Sequence, residues 1–224
     1  MQAGNKSYVR AEDLPETVPV FPLAGALLLP GGQMPLNIFE PRFLSMFDSA
    51  LAGDRLVAMV QPALDGSKLE DGEPDLCAVG CVGRVTGLQE TGDGRYLVTL
   101  SGICRFRIIE EMATPEPFRR CHMSPFLGDL DDDAGDAEQV DRELLLTTFR
   151  QFLEANDMET DWDSIARAGN DVLVNSLSML SPYGPAEKQA LLEAESLKAR
   201  AETLIAITQM TLARSSDDVT GTLQ

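Results

Sequence analysis

The segment Leu76–Glu110 reads LCAVGCVGRVTGLQETGDGRYLVTLSGICRFRIIE, two apolar runs separated by the turn sequence Thr-Gly-Asp-Gly at positions 91–94. Apolar and β-branched residues on both sides of a Gly- and Asp-rich step are typical of a β-hairpin. The Asp-Gly step supplies the positive φ values that a type I′ turn requires. This segment therefore predicts two long antiparallel strands, Leu76–Gln89 and Arg95–Glu110.

The second arm of this hairpin alternates in polarity. Cys104, Phe106 and Ile108 fall on one face, whereas Arg105 and Arg107 fall on the other. A period of two predicts a strand that is buried on one side and faces solvent with its arginines on the other.

Short apolar runs broken by Gly and Pro continue outward from the hairpin, between Val18 and about Phe126. Such punctuation is typical of strands joined by turns. One helix interrupts them, because Pro41 suits a first helical position and Gly53 ends the following apolar stretch near Leu51. The further predicted strands are Val18–Leu23, Leu36–Phe39, Arg55–Gln61 and Phe118–Pro125.

Beyond Phe126 the apolar pattern acquires the period of helices. The acidic run Asp129–Asp136 comes first and reads as a solvated linker, and a last helix is predicted to open at Pro185 and continue to Leu212. The fold class is α+β. The predicted organisation is an N-terminal arm (1–17), a β-rich subdomain (18–126), an acidic linker (127–137), an α-helical bundle (138–214) and a flexible tail (215–224).

The composition is strongly acidic, with a formal charge of -18 and a pI near 4.3. Eleven basic and sixteen acidic residues give residues 1–125 a charge of -5, which leaves -13 for residues 126–224. Such a balance repels phosphate backbones and anionic bilayers, so neither nucleic acid nor membrane is expected as a partner. The N-terminus lacks a signal-peptide pattern, so we expect a cytoplasmic protein with reduced cysteines.

The residues that hydrolytic chemistry requires are missing from the sequence. No Gly-Lys dipeptide occurs, which excludes a phosphate-binding P-loop, and His122 is the single histidine available to a nucleophile-histidine pair. A Ser-Lys dyad is not excluded by counting, but no feature singles one out. Glu40 and Arg42 stand two apart at a helix start, where such residues are commonly structural. No catalytic residue is therefore assigned.

The cysteines allow one metal interpretation, in which Cys77, Cys81 and Cys104 join either Cys121 or His122 around zinc. We favour buried thiols, because free cysteine is among the most buried residue types and these positions lie within predicted strands. The acidic run at 129–136 lacks the spacing of an EF-hand. No metal or other cofactor is expected.

Three stretches near the N-terminus carry a family resemblance: VPVFPL from Val18, LPGG from Leu29 and MPLNIFEPRF from Met34. Together with LSGICRFRI from Leu100, they resemble the N-terminal substrate-binding domain of Lon proteases, including its "LPLHIFEPRY" motif. Two positions depart from that motif, since Asn37 replaces a frequent His and Phe43 a frequent Tyr. Both replacements keep size and local polarity roughly, so the same fold is expected. The resemblance runs from about Val18 to Leu212, nearly the whole chain.

The resemblance implies a PUA-like β-barrel followed by a helical bundle, and binding of unfolded polypeptides or of a protease partner. It also implies a chain that consists of the Lon N-domain alone, because the ATPase and Ser-Lys protease domains would follow where this sequence ends. We therefore expect a non-catalytic protein-binding module. The alternative from the same fold is RNA binding through the arginines of the β-rich half, Arg84, Arg95, Arg105, Arg107, Arg119 and Arg120.

The candidate peptide-binding residues cluster around the predicted helix after Phe39. Binding an extended chain requires accessible apolar surface or a free sheet edge, and flexible methionines adapt to different sequences. The set is Met34, Phe39, Phe43, Met46 and Phe47. The alternative is that these side chains form core.

Overall fold

The computed structural model describes residues 1–131 and 135–221. Their contacts divide the chain into two units, Met1–Asp133 with Pro182–Leu192, and Ala134–Ser181 with Glu193–Gln224. The strands are β1 (Gln2–Ala3), β2 (Lys6–Ser7), β3 (Thr17–Pro22), β4 (Gln33–Ile38), β5 (Leu56–Val60), β6 (Val79–Glu90), β7 (Tyr96–Met112) and β8 (Arg119–Pro125). The helices are α1 (Pro41–Ala52), α2 (Arg142–Ala155), α3 (Trp162–Arg167), α4 (Asn170–Leu180), α5 (Pro185–Glu193) and α6 (Leu197–Gly221).

A six-stranded sheet with the order β4-β7-β6-β5-β3-β8 forms the first unit. Its pairs are antiparallel except for β3 and β5, which run parallel. Strand β8 pairs with β3 on one side and with the second half of β7 on the other, so the strand pairings β7-β6-β5-β3-β8 close into a ring. All six predicted strands and the helix beginning at Pro41 are confirmed, with ends shifted by a few residues.

The core of the first unit lies inside this ring. Its members come from β3, β5, β6, β7 and β8, and they include Val20, Ala58, Val82, Phe106 and Cys121. The N-terminal residues also take part, because Tyr8 is fully buried and its hydroxyl accepts a hydrogen bond from Arg84 Nη1 at 3.1 Å. Burial raises the pKa of Tyr8 above its ordinary value. The segment that we predicted as an arm is thus packed onto the strands.

Two glycines allow backbones to approach each other closely in the ring. A Cβ atom at Gly102 would lie 2.1 Å from the carbonyl oxygen of Leu29, and one at Gly80 would lie 2.6 Å from that of Met59. No side chain fits at these distances, because the opposing atoms belong to the backbone. Glycine is therefore required where β7 passes the Leu27–Leu29 segment.

Arg105 was predicted to face solvent, on the polar face of β7. In the structure its side chain is buried. Its Nε and Nη2 donate to the two carboxylate oxygens of Asp129, at 2.9 and 2.8 Å, and its backbone N–H donates to Oδ2 at 2.8 Å. Asp129 belongs to the run that we predicted as a solvated linker, of which residues 132–134 lie outside the described residues. Ion pairing compensates the burial of both charges.

The hairpin turn is not of the predicted type. Positive φ values occur at Gly92 (80°) and Gly94 (86°) but not at Asp93. The prediction of a two-residue type I′ turn at Asp93-Gly94 is therefore wrong. Instead Thr91 N–H donates to the carbonyl of Arg95 at 3.1 Å and closes a longer loop. Two glycines, rather than Asp-Gly, carry the left-handed backbone.

The second unit is helical, with α2 and α4 packing on α6. The prediction of one continuous helix from Pro185 to Leu212 is wrong, because α5 ends at Glu193 and α6 begins at Leu197. Ser196 explains the break, since its Oγ accepts a hydrogen bond from Ala199 N–H at 3.1 Å. A serine in this role begins a new helix and competes with continuation of the preceding one. No helix in the described part of the chain is long and apolar enough to cross a bilayer.

The close approach at Gly102 generates a stability prediction. Gly102→Ala places a methyl group against the Leu29 carbonyl, so we expect the free energy of unfolding to fall by about 3 kcal/mol. Gly128→Ala is the matched control, because a Cβ there meets no atom within 4 Å. Urea unfolding followed by circular dichroism compares the two. Equal midpoints for both variants would contradict the packing described.

The Arg105–Asp129 pair generates a second stability prediction. Asp129→Ala leaves the guanidinium buried without its carboxylate, and we expect a loss of about 3 kcal/mol. Asp131→Ala removes an exposed carboxylate two residues away and should change stability by less than about 0.5 kcal/mol. Denaturant midpoints at neutral pH measure both. A loss of the same size at Asp131 would show that net charge, not pairing, is responsible.

Candidate functional site

The five predicted peptide-binding residues do not form one surface. Met46 and Phe47 are fully buried and Phe43 is nearly so, which agrees with the core alternative for these three. The Phe43 and Phe47 rings pack edge-on against Phe21, with centroids 4.6 and 6.0 Å from it. Phe39 is 62% exposed. Met34, on β4, is half-buried.

A groove lies instead where β4, β7 and β6 run side by side. Strand register aligns Leu36 with Val98 and Leu88 in one cross-strand row, and Asn37 with Leu97 and Gln89 in the next. Leu97 and Leu88 remain 44% and 37% exposed. The groove measures about 540 Å³ and is lined by Pro35, Leu36, Asn37, Gly87, Leu88, Gln89, Leu97, Val98 and Thr99.

The lining of this groove contains no charged residue, although charged residues make up 24% of the sequence. Gly87 keeps its floor low, because a Cβ atom there would approach Thr99 Oγ1 to 3.3 Å. Asn37 and Gln89 add amide groups that can hydrogen-bond a backbone. Neighbouring rows of a sheet project to opposite faces, so Leu97 lies with Asn37 and Gln89, whereas Leu88 faces the other side with Leu36 and Val98. An exposed leucine between two amides can cover an apolar side chain of another polypeptide.

Strand β4 forms one border of the groove and lies at the edge of the sheet. Among the described strands it pairs with β7 alone, in a register that runs from Gln33 opposite Ser101 to Ile38 opposite Tyr96. Open edges invite pairing with a further strand. Pro35 sits in the middle of β4 and has no N–H to donate. The edge therefore favours side-chain contacts over addition of a continuous strand.

A second groove of about 350 Å³ lies beside α1 and is lined by charged as well as apolar residues. Most of its charged side chains are already paired. Arg42 Nη1 lies 3.2 Å from Glu73 Oε1, and Arg119 pairs with Glu111. Glu40 accepts a hydrogen bond from Arg42 Nε at 3.2 Å, so these two residues form an ion pair at the helix start. This groove suits an apolar segment less well than the uncharged one.

The arginines that suggested RNA binding are mostly engaged within the first unit. Arg105 binds Asp129, Arg119 binds Glu111, and Arg120 binds Glu116. Arg95 lies 3.3 Å from Asp93, and Arg84 donates to the carbonyl of Asp54 at 2.8 Å. Carboxylates neutralise the basic face that RNA would require, and the interpretation is not favoured.

All four cysteines are free thiols, of which Cys81, Cys104 and Cys121 are buried. Burial raises the pKa of Cys104 and of Cys121 to about 12. Cys77 is half-buried, and its Sγ donates to the carbonyl of Pro62 at 3.4 Å. Within the described ranges, no three His, Cys, Asp or Glu side chains come together as metal ligands.

The sequence prediction missed Leu97, whose side chain carries the exposed apolar surface of the groove, and Leu88, which is exposed on the opposite face. A signal for Leu97 exists, because residues 96–100 read YLVTL and place apolar side chains on both faces of one strand. Apolar and polar residues alternate along a strand that is buried on one face only. An apolar residue at a position where this alternation predicts a polar one therefore indicates a second contact surface. Leu88 carries no comparable signal, because it follows Gly87 near the end of β6.

Comparison with known proteins places the chain beside one domain of larger proteases. The family model of the ATP-dependent protease La (LON) substrate-binding domain matches residues 17–209. Lon protease 2 of Myxococcus xanthus is 25% identical over 206 residues, which are 88% of this chain and 24% of that protein. The Lon protease of Desulfosudis oleivorans is 31% identical over 102 residues, which are 46% of this chain and 12% of that protein. The chain thus spans about a quarter or less of the length of these relatives.

Solved structures share the fold. A Lon N-terminal domain protein from Xanthomonas campestris superposes with a TM-score of 0.58 at 21% identity, covering 85% of this chain and 97% of that one. The N-terminal domain of a Mycobacterium avium complex Lon protease gives a TM-score of 0.59 at 18% identity, covering 86% and 98%. At these identities the likeness concerns the fold.

The cysteine environments generate a prediction about reactivity. With a pKa of about 12, a thiol is ionised to about one part in ten thousand at pH 8. We expect a thiol-specific reagent to label Cys77 alone in the native protein, and the other three only after denaturation. Mass spectrometry of the digested protein assigns the label. Cys77→Ser should abolish the rapid phase, and rapid labelling of Cys104 or Cys121 would contradict their burial.

Proposed function

The chain belongs to the family of the ATP-dependent protease La (LON) substrate-binding domain, and on this basis we propose that it is a non-catalytic module that binds unfolded polypeptide segments. The uncharged groove between β4, β7 and β6 is the proposed contact surface. The observation that supports it is the absence of charge from a lining that exposes Leu97 beside Asn37 and Gln89. Apolar segments are what unfolded chains expose and folded proteins conceal.

The size of the groove indicates weak binding of each single segment. Covering the exposed part of Leu97 contributes about 1–2 kcal/mol, before the entropy cost of ordering the bound segment. Even with amide hydrogen bonds added, one segment should bind with a Kd of about 1 mM or weaker. Weak contacts with many segments suit a module that samples unfolded chains, because tight binding would hold them.

One of the originally predicted residues extends this proposed surface, and a second lies on the same strand but on its other face. Phe39 directly follows β4 and is largely exposed, and Met34 lies on β4 itself. We include Phe39 as a peripheral contact, whereas Met34 pairs with the buried Leu100 and faces the opposite side of the sheet from Asn37. Phe43, Met46 and Phe47 are buried on α1, and the two phenylalanines pack against Phe21 of β3, so these three residues are left out of the proposed surface.

The finer features of fold and partnership are part of the same proposal. The closed ring of strand pairings supports a PUA-like β-barrel, and α2, α4 and α6 support a helical bundle. Only the substrate-binding family is matched, so we propose that any hydrolysis of bound polypeptide is performed by an ATP-dependent protease acting as partner. We place this association in the cytoplasm.

Charge introduced into the groove tests the proposal. Leu97→Asp puts a carboxylate where an apolar segment would dock, so we expect binding of a reduced, alkylated unfolded protein to weaken at least tenfold. Leu88→Asp introduces the same charge on the opposite face of the sheet and should weaken binding less than twofold. Ile109→Asp is the matched control, because Ile109 is an exposed apolar residue elsewhere on β7. Fluorescence anisotropy of the labelled client measures affinity, and circular dichroism verifies folding.

The control separates the groove from general stickiness. Unchanged affinity of the Leu97 variant would refute the proposed surface, as would equal weakening by Leu88→Asp. Equal weakening by Ile109→Asp would show that any exposed apolar residue on β7 serves, which also refutes it.

A further inference from the structure

A separate groove of about 430 Å³ lies in the helical unit, where α2 ends and α3 begins. Leu153 forms a buried part of its lining, and Met158 and Trp162 offer partly exposed side chains, Met158 at 41%. Trp162 is the single tryptophan of the sequence. None of these residues belongs to the groove discussed above.

The turn after α2 holds this groove in shape. Asp157 adopts a positive φ of 52°, its N–H donates to the Glu154 carbonyl at 3.4 Å, and the Met158 N–H donates to the Leu153 carbonyl at 3.0 Å. This is the Schellman pattern, in which an apolar residue beyond the helix end packs on the last turn. Met158 and Leu153 occupy those two positions and both line the groove.

Trp162 is fixed on the opposite side by a helix cap and an arginine. The Asp161 side chain accepts hydrogen bonds from Asp163 N–H and Ser164 N–H, both at 3.1 Å, and so begins α3 at Trp162. The Arg150 guanidinium lies 4.7 Å from the centre of the Trp162 ring. Stacking on one face of the indole orients the ring and leaves the remaining surface to the groove.

The charge around this groove is one-sided. Glu154 and Glu159 line it, and Arg150, the basic residue of the lining, is engaged with Trp162. Every charged side chain between positions 154 and 163 is acidic, namely Glu154, Asp157, Glu159, Asp161 and Asp163. Carboxylates around an apolar floor attract cations and repel anions.

We propose that this groove is a second docking site, whose occupant is a basic polypeptide segment that carries one large apolar side chain. The apolar side chain enters between Met158 and Trp162, and flanking Lys or Arg residues pair with Glu154 and Glu159. Methionine adapts to different inserted side chains because its thioether chain is flexible. This site is independent of the uncharged groove, which selects segments without regard to their basic residues.

Fluorescence of Trp162 tests the proposal directly, because no other tryptophan contributes. The probe is a synthetic peptide with one leucine flanked on both sides by two lysines, titrated into the full chain. We expect a saturable change of emission, and a Kd that weakens at least fivefold between 50 and 500 mM NaCl because exposed ion pairs are screened. The same peptide with glutamates for lysines, or with glycine for leucine, should bind at least tenfold more weakly.

Variants identify the residues responsible. Glu154→Gln combined with Glu159→Gln should weaken the lysine peptide about tenfold, whereas Glu143→Gln with Glu195→Gln, which removes two exposed carboxylates outside the groove, should weaken it less than twofold. Leu97→Asp should leave this titration unchanged, which separates its outcome from that of the uncharged groove. No emission change with the lysine peptide, or equal binding of the glutamate or glycine peptide, would overturn the proposal.

Discussion

Backbone hydrogen bonding along strand β7 is the interaction on which the β-rich unit depends. β7 pairs with β6 along one edge, and its other edge is shared by β4 in the first half and β8 in the second. Closure of the ring therefore requires one continuous strand of 17 residues. Gly102, near its middle, permits this continuity because any side chain there would meet the backbone of Leu29. The same strand presents Leu97, so ring closure and the uncharged groove share one element.

Charge is distributed in a way that gives the two units different surface chemistry. In the first unit, carboxylates pair with Arg105, Arg119 and Arg120, and the groove between β4, β7 and β6 retains no charged lining. In the helical unit, acidic residues greatly outnumber basic ones and surround an apolar floor at Trp162. An uncharged surface recognises apolar character alone, whereas an acidic border adds selection for basic sequence. One chain thereby offers two kinds of polypeptide contact.

Local sequence was sufficient for the elements of the β-rich unit and for its family. The strands follow from apolar runs bounded by Gly and Pro, and α1 follows from Pro41 and Gly53. These patterns act over a few residues, where turn chemistry and helix ends leave few alternatives. The family could be recognised because VPVFPL, MPLNIFEPRF and LSGICRFRI agree in order along the chain.

Tertiary structure alone decided which side chains are core and which are surface. Phe39 and Phe43 belong to one motif, yet Phe39 is exposed and Phe43 is buried. Phe43 is buried because Phe21, which lies far from it in the sequence, packs against its ring. Arg105 matched a solvent-facing pattern but is buried, because Asp129 supplies a carboxylate from 24 residues away. Sequence determined the periodicity of each element, a local property. Burial depends on what the rest of the chain places opposite, which is a property of the assembled fold.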